Sequence, residues 1–91
     1  MDNLEKERKM MNAISSALKY RKENPTADNS KITKNILKII QLERKEEIKL
    51  LIISAVSRVL DIAERNPRFS DRDIIQKFIK EGFPELPRQE D

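Results

Sequence analysis

Residues 10–25 and 52–67 carry one pattern twice, at an offset of 42. Laid over each other, Ala13 falls on Ala55, Ser15 on Ser57, Leu18 on Leu60, Asn24 on Asn66 and Pro25 on Pro67. Apolar character also matches at Met10/Ile52, Met11/Ile53, Ile14/Val56, Ala17/Val59 and Tyr20/Ile62. Five identities in sixteen positions compare with roughly one for unrelated segments, so an internal duplication is the natural reading. After each Asn-Pro comes a short polar stretch and then a shorter apolar-periodic segment. These second segments align at an offset of 38, pairing Ile36 with Ile74, Leu37 with Ile75 and Ile40 with Phe78, which predicts a longer loop in the first copy. The unit is long helix, Asn-Pro turn, short helix. One such hairpin cannot bury its own apolar stripes, so two packed together are the minimum that forms a core.

Composition narrows the class. With 91 residues the chain fits one domain with a small core. Charged residues reach 38%, yet the Ile, Leu and Val residues are concentrated in periodic segments, which argues against disorder. One Gly and four Pro leave little turn chemistry for a β-fold, so the expectation is an all-α four-helix bundle built from two tandem helical hairpins. Their bounds are about 4–43 and 46–82, within a single domain over 1–91, followed by an extended tail over 83–91. The chain has no Cys and no His, which removes thiolate chemistry, the usual zinc ligands and the commonest general base. No catalytic, cofactor-binding or metal-binding residues are predicted. The charged first nine residues lack the apolar core of a signal peptide, and the run Leu50–Ile53 is too short to span a membrane. A cytoplasmic protein without membrane or small-molecule partners is expected.

The first helix is predicted over about 4–23, with Leu4, Met10, Met11, Ile14, Ala17 and Leu18 on one side. It must end before Pro25, which disfavours helical geometry in the residue ahead of it. The second begins near Ser30, with Asp28, Asn29 or Ser30 as cap, and buries Ile32, Ile36, Ile39 and Ile40. Five consecutive charges, Glu43 to Glu47, leave no buried face there, so a turn is predicted despite the absence of Gly and Pro. The third helix, about 46–65, spreads its apolar residues over about 200° of circumference, wider than a surface stripe. Several neighbours, or a partner, must cover that arc. The fourth starts at a capping box, Ser70 with Asp73, and ends at Gly82 ahead of Pro84. Beyond it, Phe83 or Leu86 is placed to fold back on the bundle.

Two features carry a functional reading. Lys31, Lys34, Lys38 and Lys45 project within about 60° of one another if the second helix persists to Lys45. No acidic residue projects among them, and residues 1–45 hold a charge of +5 against −2 for residues 46–91. Such a face suits phosphates or an acidic protein surface, although lysines without aromatics or clustered Arg more often simply solvate a helix. Separately, Asn66 to Ile75 resembles the opening two helices of helix-turn-helix DNA-binding domains. That resemblance implies a recognition helix after Gly82, where Phe83-Pro84-Glu85-Leu86-Pro87 is instead a poor helix start. The carboxylate pairs Asp71/Asp73 and Glu46/Glu47 do not converge on one site.

The expected function is therefore a non-enzymatic helical module for protein–protein interaction, a regulator or adaptor, with a protein or a second copy of itself as partner. Leu50, Ile53 and Leu60, at or beyond one edge of the third helix's arc, are the candidate interface. The alternative is a nucleic-acid-binding regulator using the Lys31/Lys34/Lys38/Lys45 face.

Overall fold

The computed structural model describes residues 3–85; residues 86–91 of the expected tail, Leu86 among them, lie outside these. Four helices make up the fold: α1 (Asn3–Glu23), α2 (Asn29–Leu42), α3 (Glu46–Arg65) and α4 (Asp71–Glu81). The expected all-α bundle of helical hairpins is what forms, and α3 is its centre, packed against α1, α2 and α4. That explains its wide apolar arc: Ile48, Leu51, Ile52, Ala55, Val56, Val59, Leu60, Ile62 and Ala63 are all buried.

The hydrogen bonds at the turns repeat the sequence pattern. At the end of α1 the Asn24 amide and side-chain Nδ2 both donate to the Tyr20 carbonyl, at 2.9 and 3.0 Å. At the end of α3 the Asn66 amide and Nδ2 donate to the Ile62 carbonyl, at 3.0 and 2.9 Å. Each Asn carbonyl then accepts from the residue three further on, Ala27 or Phe69, at 2.9 Å. Asn recurs because it closes the helix end twice over, and Pro follows because that position continues no helix.

This periodicity corrects the expected alignment of the short helices. The N-cap of α2 is Asp28, whose side chain accepts from the Lys31 amide, and that of α4 is Ser70, accepting from the Asp73 amide. Both caps stand at the same offset of 42 as the long helices, so Ile32 corresponds to Ile74 and Ile36 to Phe78, all buried. The offset of 38 and the longer first loop are wrong. A shift of four residues rotates a helix stripe by only about 40°, so apolar matching alone cannot separate the two registers. Replacing Ser70 by Ala, or Asp28 by Ala, is expected to cost about 1 kcal/mol each, read from urea midpoints at constant slope. The Ser70 change should fall toward the higher end, because there the Asp73 carboxylate also accepts from the Ser70 amide at 3.1 Å.

Met10 and Leu51 border one depression and Arg21, Leu60 and Glu64 border another, so α1 and α3 run in the same direction. They bury equivalent positions: Met10, Ala13, Ile14, Ala17 and Leu18 on one, Ile52, Ala55, Val56, Val59 and Leu60 on the other. Shared faces at a common level are what a local twofold along the helices produces. A front-to-back solenoid stack would bury opposite faces.

The chain turns between α2 and α3 without Gly or Pro because Glu43 organises the connection. Its carboxylate accepts from the amides of Arg44 and Lys45, both at 3.1 Å, and from the Lys9 ammonium of α1 at 2.7 Å. The Glu43 side chain is 9% exposed. The Lys9 hydrogen bond, with help from the Lys45 amide, holds the Glu43 carboxyl below its ordinary 4.5, and the same contact raises Lys9 above 10.5. The Glu43 contribution to stability is thus complete above 4.5 and is lost as pH falls through the lowered folded value. The Lys9 contribution is complete below 10.5 and is lost as pH rises through the raised one. Glu43→Gln is therefore expected to flatten the acid limb of a stability–pH curve followed by urea unfolding. An unchanged acid limb would show that Glu43 does not hold the turn.

Candidate functional site

Lys31, Lys34 and Lys38 are all exposed on the face of α2 opposite buried Ile32, Ile36 and Ile40. None of the three forms an ion pair among the described residues. No acid lies on α2, so nothing on that helix offsets their charge. Lys45 does not join them. The helix ends at Leu42 and Lys45 sits in the connection, exposed, as the N-cap residue of α3. The stripe therefore has three lysines, and Lys31 lies in the first turn, where the helix dipole disfavours a cation.

On α3 the candidate interface divides. Leu60 is 4% exposed and belongs to the core, at the edge of a cleft it lines with the N-terminal end of α2. Leu50 and Ile53 are 56% and 40% exposed. They lie three residues apart on the open side of α3, next to exposed Ser54 and Ser57. Acidic residues stand at both ends of this face: Glu46 and Glu47 before Leu50, Asp61 and Glu64 beyond Ser57, all exposed. The basic residues of α3 are engaged. Lys49 pairs with Glu46 at 3.3 Å, Arg65 with Asp61 at 3.2 Å, and Arg58 points away from this face toward α4.

Arg58 has a role that the sequence did not announce. Its guanidinium lies 5.7 Å from the centroid of the Phe78 ring and donates to the Gly82 carbonyl. Phe83 closes on Phe78 edge to face, with centroids 5.3 Å apart and planes at 87°. This is the fold-back expected of Phe83. Gly82 makes it possible, since its φ of 98° is a conformation other residues adopt only with strain. In the repeat Gly82 stands where the first copy has Ile40, a core residue. The second copy thus loses the last turn of its short helix, and a depression of about 400 Å³ remains among Lys6, Glu7, Met10, Leu51, Phe83 and Pro84. It is open and half polar, a consequence of where the helix stops.

Met10 is buried and Met11 half-buried against the core. Residues 82–85 are not helical, so no recognition helix follows α4 among the described residues. Among those residues no group of carboxylates comes together to hold a metal ion, and no helix is long and apolar enough to cross a membrane. Compared with known proteins, the chain matches no family, no curated protein and no solved structure.

Proposed function

We propose that this chain is a non-enzymatic helical module that binds another protein through the open side of α3, acting as a regulator or adaptor. The observation that carries the reading is the exposure of Leu50 and Ile53, adjacent on a helix whose other apolar residues are satisfied within the fold. Burying two such side chains contributes about 1.5 to 3 kcal/mol each if burial is complete, and less for chains already half covered. The acidic residues at both ends form a polar rim that sets orientation. Cytoplasmic action is part of the proposal, in keeping with a chain free of Cys.

The test compares the native mass of the protein, purified and in cell extract, with that of Leu50→Asp/Ile53→Asp. Support is a complex, homomeric or heteromeric, that is lost in the double variant while its thermal melt is retained. Wild-type protein running at monomer mass in both settings would refute the reading.

A second reading rests on the three unpaired lysines of α2, which present a cationic face to a nucleic-acid backbone. Under that reading affinity for duplex DNA falls steeply with salt and is lost in Lys31→Glu/Lys34→Glu/Lys38→Glu. Association through Leu50 and Ile53 instead persists as salt rises.

A further inference from the structure

Three exposed apolar residues, Leu37 of α2 and Leu50 and Ile53 of α3, lie beside one seam. Asn29 Nδ2 donates to Glu64 at 3.4 Å at one end, and the connection through Glu43 closes the other, so the two helices run antiparallel side by side. Counting along both helices from Asn29 and Glu64 brings Leu37 of α2 level with Val56, within one turn of Ile53. Leu37, Leu50 and Ile53 are 40%, 56% and 40% exposed. The seam thus carries an apolar strip with a basic helix on one flank and an acidic helix face on the other. The same count puts Lys31 and Lys34 within a turn of the level of Asp61.

A surface of one sign asks for a partner of the other. This one presents both halves of a match side by side, which is the condition for pairing with itself. Two twofold axes would stack the apolar strip on its copy. An axis across the helices lays α2 on α2 and α3 on α3 with their directions reversed, so the lysines meet a helix that carries no acid while Asp61 and Glu64 approach Glu46 and Glu47. An axis along the helices lays α2 of each protomer on α3 of the other and sets lysines against acids twice. Charge alone chooses between them, because like charges brought together in an interface oppose binding.

We propose that the α2–α3 face binds a second copy of this chain in the second arrangement, with Lys31 and Lys34 of each protomer facing Asp61 and Glu64 of the other. The proposal rests on the protein-binding reading above and names its partner. With α2 only about 21 Å long, the interface is at the small end of the specific range, where pairs are weak and transient, and a micromolar dissociation constant is expected.

Sedimentation equilibrium from about 5 to about 500 µM, at low salt, brackets that constant. The proteins are wild type, Lys31→Glu/Lys34→Glu, Asp61→Lys/Glu64→Lys, and an equimolar mixture of the two charge variants, each checked for an unchanged thermal melt. The expected result is a wild-type dimer, each charge variant alone weakened about tenfold or more, and a heterodimer of near wild-type affinity in the mixture. A dimer that both charge variants leave intact but Leu50→Asp/Ile53→Asp dissociates would overturn this arrangement while the protein-binding reading stands. A wild-type monomer across the whole range overturns self-association. In that case a higher-mass complex in cell extract that depends on Leu50 and Ile53 keeps the protein-binding reading, and its absence removes that too.

Discussion

Phe78→Ala is expected to destabilise the fold by about 3 to 5 kcal/mol, the largest effect of any single truncation at α4. Phe78 is 0% exposed and is the largest side chain fully buried in the protein. It holds three things at once: the face of α4 against α3, the ring of Phe83 and the guanidinium of Arg58. Removing the ring leaves a cavity and also releases the tail from its only aromatic anchor among the described residues. A domain of this length has roughly 5 to 14 kcal/mol of stability in all, so the variant should lose a large share of it. The measurement is equilibrium urea unfolding followed by far-ultraviolet circular dichroism. Arg58→Met provides a control, since it keeps much of the volume while removing the charge. The expected loss is then about 1 to 3 kcal/mol, because both the cation–π contact and the hydrogen bond to the Gly82 carbonyl are removed. A loss for Phe78→Ala no larger than that of Arg58→Met would show that the ring serves the tail alone and not the α3–α4 contact.

The helices themselves were legible because each rests on a local rule. Pro25 and Pro67 stop the long helices, Ser70 and Asp73 start α4, and 3.6-residue periodicity marks what is buried. The relation between the short helices was misread because it was taken from apolar matching, which tolerates a slip of one turn. The caps do not tolerate it: Asp28 and Ser70 each sit three residues after a Pro and three before the amide they accept from. Polar residues at helix ends fix register more sharply than the stripe between them. The turn at Glu43 was predicted from a run of charges, but its cause was not visible. It depends on Lys9, thirty-four positions earlier, reaching the same carboxylate.

The candidate surface was legible only in part, for a related reason. Position on a helical wheel places Leu50, Ile53 and Leu60 near one edge, but which edge a neighbour covers depends on tertiary packing. Leu60 is buried beside the N-terminal end of α2, while Ile53 and Leu50 stay exposed. The lysines of α2 were correctly placed opposite its Ile stripe up to Lys38, and Lys45 was lost because the helix ended before it. Exposure of Leu37 belongs to the same patch, yet in sequence it reads as one more apolar residue of α2.

Leu18→Ala and Leu60→Ala are each expected to cost about 2 to 5 kcal/mol, and their difference carries more information than either value. The two residues occupy equivalent places in the repeat, at 2% and 4% exposure. If surroundings were equivalent too, the losses would be equal. They are not, since Leu60 borders an open cleft with Arg21, Asp28, Asn29, Ser30 and Glu64, while Leu18 does not line that cleft. At Leu60 the long polar chains of the cleft can move inward and water can enter, so the space left behind is partly filled. Leu18 belongs to the buried cluster and lines neither of the two depressions described, so the cavity left there persists. Leu18→Ala should therefore fall toward the upper end of the range and Leu60→Ala toward the lower, both well above the cap substitution Ser70→Ala. Urea unfolding of the three variants under one set of conditions decides the order. If Ser70→Ala proved more damaging than Leu60→Ala, Leu60 would not be held between α2 and α3 in solution. The apolar surface available to a partner would then extend from Leu50 and Ile53 to include it.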